Sequence, residues 1–114
     1  MIGENMRCIG KYEWGDVYAD ERDPNAGGAS HDYVIHLDGG GRTEIQFQHG
    51  PRKVESSTRG ILDEHLLMIA VDRLEAFQKG PFAHPSNERA LAYINAARNA
   101  LKERAEERRA RGVL

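Results

Sequence analysis

The chain has 114 residues, 39% of them hydrophobic and 7% aromatic, which suits one small domain with a thin core. Sixteen basic residues against 18 acidic ones give a formal net charge of −2, so no global positive field exists to recruit nucleic acid by counterion release, and any anion site must be local. The single Cys8 excludes an internal disulfide, and neither a signal-peptide h-region nor a bilayer-length apolar run is present. These features predict a soluble, cytosolic protein with no membrane partner.

From Arg7 to Tyr18 the β-prone residues Ile9, Tyr12, Trp14, Val17 and Tyr18 predict a strand, interrupted by Gly10 and Gly15. Asp20 to Ser30 (DERDPNAGGAS) strings together turn-forming residues and reads as a loop. Tyr33, Ile35 and Leu37 then alternate with Val34 and His36; after Asp38-Gly39-Gly40-Gly41 an alternating pattern resumes from Arg42 to Gln48, which predicts a β-hairpin. A polar connector leads to a helical stripe of Leu66, Leu67, Ala70, Val71, Leu74 and Phe77, in a helix of about Leu62 to Gln78. Gly80 is expected to end this helix in the left-handed conformation, with Pro81 blocking its continuation. Ser86 is the expected N-cap of a second helix running to about Arg111. Its positions Asn87, Leu91, Ile94, Arg98, Leu101, Ala105 and Arg108 follow the four-three spacing of a packed seam.

The fold expected is therefore α+β: a small N-terminal antiparallel β unit (1–52), a connector (53–61) and an antiparallel helical hairpin (62–111). The two apolar stripes exceed what so small a β unit buries, which predicts a homo-oligomer. The pentapeptide Phe-Gln-X-Gly-Pro occurs twice, at Phe47 to Pro51 and Phe77 to Pro81, each time where an element stops.

Several residues have both a structural and a chemical reading. Arg104 and Arg108, four apart, share a helix face and suit a phosphate clamp, although Glu103, Glu106 and Glu107 beside them also fit a solvated, salt-bridged helix end. Phe77 and Asn87 fit a core aromatic and a helix-end amide, or a stacking ring and an amide that hold a nucleobase. The helix from Asn87 to Arg104 spans about 25 Å, so the two sets meet on one nucleotide-sized ligand only if they come from different protomers. The five histidines form no ligand pair at helical spacing and Cys8 has no partner, which argues against a metal site. Asp20, Glu21 and Asp23 are acidic residues in a Gly/Pro loop, expected to be solvated. No phosphate loop, nucleophile elbow or other catalytic signature is present, so neither an enzyme nor a cofactor is expected.

The string FQHGPR (Phe47 to Arg52), a Gly near the start of the first helix, LLMIAVDRLEAFQKGPF (Leu66 to Phe82), Asn87 and RAEERRARGV (Arg104 to Val113) together resemble a phage family. It is the family of Thoeris anti-defence proteins of the first type, whose helical hairpin is shared with the type two anti-CBASS sponge proteins. The resemblance runs from about Asp20 to the C-terminus and is most specific from Ile45 onward. It implies a protein of the infected bacterial cytoplasm that sequesters cyclic nucleotide immune signals, chiefly cyclised ADP-ribose isomers made by TIR-domain enzymes, and leaves them intact. It implies further that some relatives hold cyclic di- or trinucleotides at a separate site in a hexamer. Phe77, Asn87, Arg104 and Arg108 would line the ADP-ribose pocket, Arg52 and Arg22 would reach its phosphates, and Arg59 and Gly60 would belong to a second anion site. Where the family commonly has Cys-Arg-Glu before the Asn, this chain has His84-Pro85-Ser86. The alternatives are an enzyme that degrades the same signals and a helical-hairpin module that docks a protein partner.

Overall fold

Alternating β-branched and aromatic residues in the first half of the chain pair as strands, and the three-four spacing of the second half coils into helices. The computed structural model describes residues 6–25, 27–51 and 53–112 and divides the chain into two units at Ile61. The fold is α+β, as the sequence predicts.

The N-terminal unit is an antiparallel four-stranded meander in the order β1-β2-β3-β4, formed by β1 (Arg7–Tyr12), β2 (Gly15–Ala19), β3 (Asp32–Leu37) and β4 (Arg42–Gln46). The hairpin of β3 and β4 is the one expected, with Ile35 opposite Thr43 and Tyr33 opposite Ile45. The single strand expected from Arg7 to Tyr18 is instead two strands, with Tyr12 opposite Gly15 and a bulge between Cys8 and Gly10. Glu13 makes the reversal with a φ of 50°, a conformation usually taken by Gly or Asn. Ala19, Val34 and Ser30 are the buried residues of this unit among those described, whereas every residue of β1 is exposed. Beyond β4 the chain turns back on itself: Gln48 N–H donates to Ile61 O, Ile61 N–H donates to Gln46 O, and His49 and Thr58 exchange backbone hydrogen bonds.

The C-terminal unit is an antiparallel hairpin of α1 (Asp63–Gln78) and α2 (Pro85–Ala110). Val71 is its buried residue, and Leu67, Ala70, Leu74 and Phe77 of the expected stripe are turned inward with it, while Leu66 is exposed. On α2 the seam positions Asn87, Leu91, Ile94, Arg98, Leu101, Ala105 and Arg108 are all half-buried, and of the other α2 residues only Ala90 joins them. The spacing thus reads the packing face correctly.

Two helix ends differ from expectation. Gly80 does not take the left-handed conformation; α1 closes instead with tightened turns, Lys79 N–H donating to Ala76 O and Gly80 N–H to Phe77 O. The N-cap of α2 is His84, not Ser86: His84 Nδ1 accepts from Ser86 N–H, and Pro85, whose fixed φ suits the first helical position, opens the helix. Among the described residues, no helix is long and apolar enough to cross a membrane.

Candidate functional site

The repeated pentapeptide resolves into one local device used twice. In the first copy Gln48 Oε1 accepts from Gly60 N–H and its Nε2 donates to Gly50 O. In the second, Gln78 Oε1 accepts from His84 N–H at 2.8 Å and from Asn87 Nδ2 at 2.9 Å. In the first copy the amide joins Gly50 O to the N–H of Gly60, twelve residues on from Gln48, and in the second it takes His84 N–H and so ties the turn after α1 to the start of α2.

That clasp assembles the end of the hairpin where Phe77 and Asn87 lie. Asn87 Nδ2 also donates to Phe82 O at 3.0 Å, while its Oδ1 makes no hydrogen bond among the described residues and remains an acceptor. Phe77 meets Phe82 edge to face at 6.2 Å, and the Arg73 guanidinium lies over the Phe77 ring at 5.4 Å. An open cleft of about 260 Å³ adjoins this cluster, lined by Gln78, Ala83, His84, Pro85 and Glu88. Phe77 is thus half-buried rather than a core residue, while Asn87 is a helix-end amide that bonds the Gln78 side chain and Phe82 O.

Arg104 and Arg108 sit toward the other end of α2, Arg104 exposed and Arg108 half-buried. Neither makes an ion pair or hydrogen bond among the described residues, whereas Arg111 is paired with Glu107. The arginine face is thus separated from Asn87 by about 25 Å of helix, as its position in the sequence requires. Within one hairpin the two sets stay apart.

The remaining candidates belong to the N-terminal unit. Arg59 is exposed. Gly60 packs so tightly on β4 that an added Cβ would meet Gln46 O at 2.5 Å, and its N–H is taken by Gln48 rather than left for an anion. Arg52 lies outside the described residues. Arg22 is exposed on the rim of a second cleft, of about 360 Å³, whose lining includes four carboxylates, those of Asp20, Glu21, Asp23 and Asp32.

This acidic cleft holds a cluster that sequence spacing did not reveal. Asp20 and Asp23 are half-buried and bonded, not simply solvated: Asp20 Oδ1 accepts from His31 N–H, and Asp23 Oδ1 accepts from Asn25 N–H. Asp23 Oδ2 then faces two imidazoles, with His49 Nε2 at 3.2 Å and His31 Nε2 at 3.8 Å. The two rings are stacked, with centroids 4.2 Å apart and planes 11° from parallel. His31 Nε2 is buried and has no hydrogen-bond partner among the described residues, which costs about 1–3 kcal/mol unless something else occupies it. The only signal in the sequence was the acidic loop itself, because His31 and His49 come together through strand pairing rather than through a local motif.

No protein-family model matches the chain, and no curated protein is found similar to it.

Proposed function

We propose that the chain is a sponge for small cyclic nucleotide signals, chiefly cyclised ADP-ribose isomers, which it holds intact in a pocket shared between hairpins of two protomers in a homo-oligomer. The reading rests on the ordered motifs shared with the Thoeris anti-defence proteins. The observation that carries it is the division of α2 into two chemically complementary ends. The turn end presents an aromatic pair with the Asn87 acceptor, suited to a purine, and the far end presents Arg104 and Arg108, which have no ion-pair or hydrogen-bond partner among the described residues, suited to a diphosphate. Two hairpins packed head to tail bring the turn end of one to the arginine end of the other. Apolar surface left on the hairpin supports self-association, since Met68, Ile69 and Tyr93 are 54%, 58% and 73% exposed. In the phage-infected bacterial cytoplasm such a protein would lower free signal by stoichiometric binding. A further site for cyclic di- or trinucleotides belongs to the same proposal.

The test is calorimetric titration with a cyclised ADP-ribose. Arg104→Ala and Arg108→Ala should each weaken binding by about 2 kcal/mol, because each removes a charge-assisted contact; Arg104 is exposed, and for half-buried Arg108 circular dichroism separates lost binding from lost packing. Arg109→Ala, on a neighbouring face, should cost less. Equal losses for all three would leave only general positive charge, and the clamp would be abandoned.

A further inference from the structure

We propose that Asp23, His31 and His49 form a binding site for a divalent first-row transition metal of the Zn²⁺ class. The ligand atoms available, one from each residue, all lie within 4.8 Å of one another. Tetrahedral Zn²⁺ bonded to imidazole nitrogen and carboxylate oxygen at about 2.0–2.1 Å sets its ligand atoms about 3.3–3.4 Å apart. The Asp23 Oδ2 to His49 Nε2 separation is already 3.2 Å, and that to His31 Nε2 is 3.8 Å. The remaining adjustment is a tilt of the imidazoles, because the lone pairs of two nearly parallel rings do not converge on one ion. Metal binding therefore opens the stack.

Two features separate this cluster from a chance meeting of polar side chains. First, the buried Nε2 of His31 has no hydrogen-bond partner among the described residues, and an imidazole nitrogen beside a second imidazole and a carboxylate is a donor set that a metal takes. Second, all three ligands are held by the backbone. Asp23 N–H donates to Ala29 O and Gly28 N–H to Asp23 O, Phe47 N–H donates to His31 O, and His49 exchanges two hydrogen bonds with Thr58. Asn25 N–H occupies Asp23 Oδ1, which leaves Oδ2 as the oxygen turned to the imidazoles.

The donor set selects the ion. Two imidazoles and one carboxylate suit zinc and its neighbours in the first transition row, whereas Ca²⁺ and Mg²⁺ require oxygen ligands. Asp20, Glu21 and Asp32 around the cleft outnumber the one guanidinium there, Arg22, so the surrounding charge favours a cation. Three protein ligands leave a fourth position for water, and the bound ion would fasten the loop between β2 and β3 to the segment that follows β4.

The full chain, stripped of metal with a chelator, is titrated with Zn²⁺ alone by calorimetry and with Co²⁺ by visible absorption. The expected result is one ion per chain, a tetrahedral-type Co²⁺ spectrum, and a rise in thermal midpoint on adding Zn²⁺. Asp23→Asn and His49→Ala should each lower affinity about 100-fold or more and abolish the thermal shift. His36→Ala and His84→Ala, on exposed histidines outside the cluster, should bind as the wild type does. Circular dichroism of the metal-free variants identifies any that fail to fold, and Asp23→Asn and His49→Ala are sufficient without a His31 variant. Absence of saturable Zn²⁺ binding would overturn the site. So would binding that survives Asp23→Asn and His49→Ala in folded protein, equal losses in the His36 and His84 controls, or equally tight binding of Mg²⁺.

Discussion

A methyl group added at Gly60 would lie 2.5 Å from Gln46 O and from the Phe47 carbonyl carbon, both backbone atoms that cannot step aside. Gly60→Ala should therefore destabilise the protein by about 2–3 kcal/mol in denaturant unfolding, through overpacking rather than loss of a ligand contact. Glu13 has the opposite problem: it holds a φ of 50° at a two-residue reversal, and Glu13→Gly should raise stability by about 0.5–1 kcal/mol in the same measurement. That position also explains why the β1–β2 hairpin was not legible. Glu-Trp carries none of the turn chemistry of Asn-Gly, so the residues from Arg7 to Tyr18 read as one strand. The glutamine clasp was half legible, because the repeat of Phe-Gln-X-Gly-Pro is plain while the partners of its amides are not. Gln78→Ala should cost about 1 kcal/mol by leaving His84 N–H and Asn87 Nδ2 without their shared acceptor.

At the scale of elements, α2 is the part most fully written in the sequence, for a physical reason. A four-three repeat can bury only one face, so Leu91, Ile94, Leu101 and Ala105 turn inward together with the polar Asn87, Arg98 and Arg108. The helix ends were less legible, since a proline at the first helical position and a histidine ring accepting from Ser86 N–H compete with the more familiar serine cap. The cluster of Asp23, His31 and His49 was not legible at all. Its members come from a loop, its end and the chain beyond β4, and only the register of β3 and β4 brings His31 and His49 into contact. The apolar side chains outside the hairpin seam bear on self-association. Paired Ile69→Glu and Tyr93→Glu substitutions should weaken association at least about 10-fold in light scattering, with helical content unchanged, because both residues are exposed in the isolated chain. A wild type that is monomeric at micromolar concentration would remove the basis for a shared pocket.

For the whole molecule, the proposed pocket requires the turn end of one hairpin and the arginine end of another. A Phe77→Ala, Asn87→Ala protein and an Arg104→Ala, Arg108→Ala protein should each bind a cyclised ADP-ribose poorly. Subunit exchange between them should restore about one intact pocket per mixed dimer, since both lesions then fall together in the other pocket. The resemblance to the Thoeris anti-defence proteins rests on motifs scattered along the chain, and the fold accounts for several of them by local structure alone: the glutamines hold chain segments together and Gly60 allows a close backbone approach. What those structural roles leave over is the pair of guanidinium groups and the amide acceptor on α2, which in the proposed function hold a nucleotide without transforming it. The most direct measurement is to incubate the protein with a stoichiometric amount of cyclised ADP-ribose, separate the complex from free ligand, denature it and weigh what is released. A sponge carries the ligand with the protein and returns it with its mass and chromatographic retention unchanged. Release of a product of altered mass would show an enzyme, and absence of ligand from the protein fraction would leave the hairpin as a module for a protein partner.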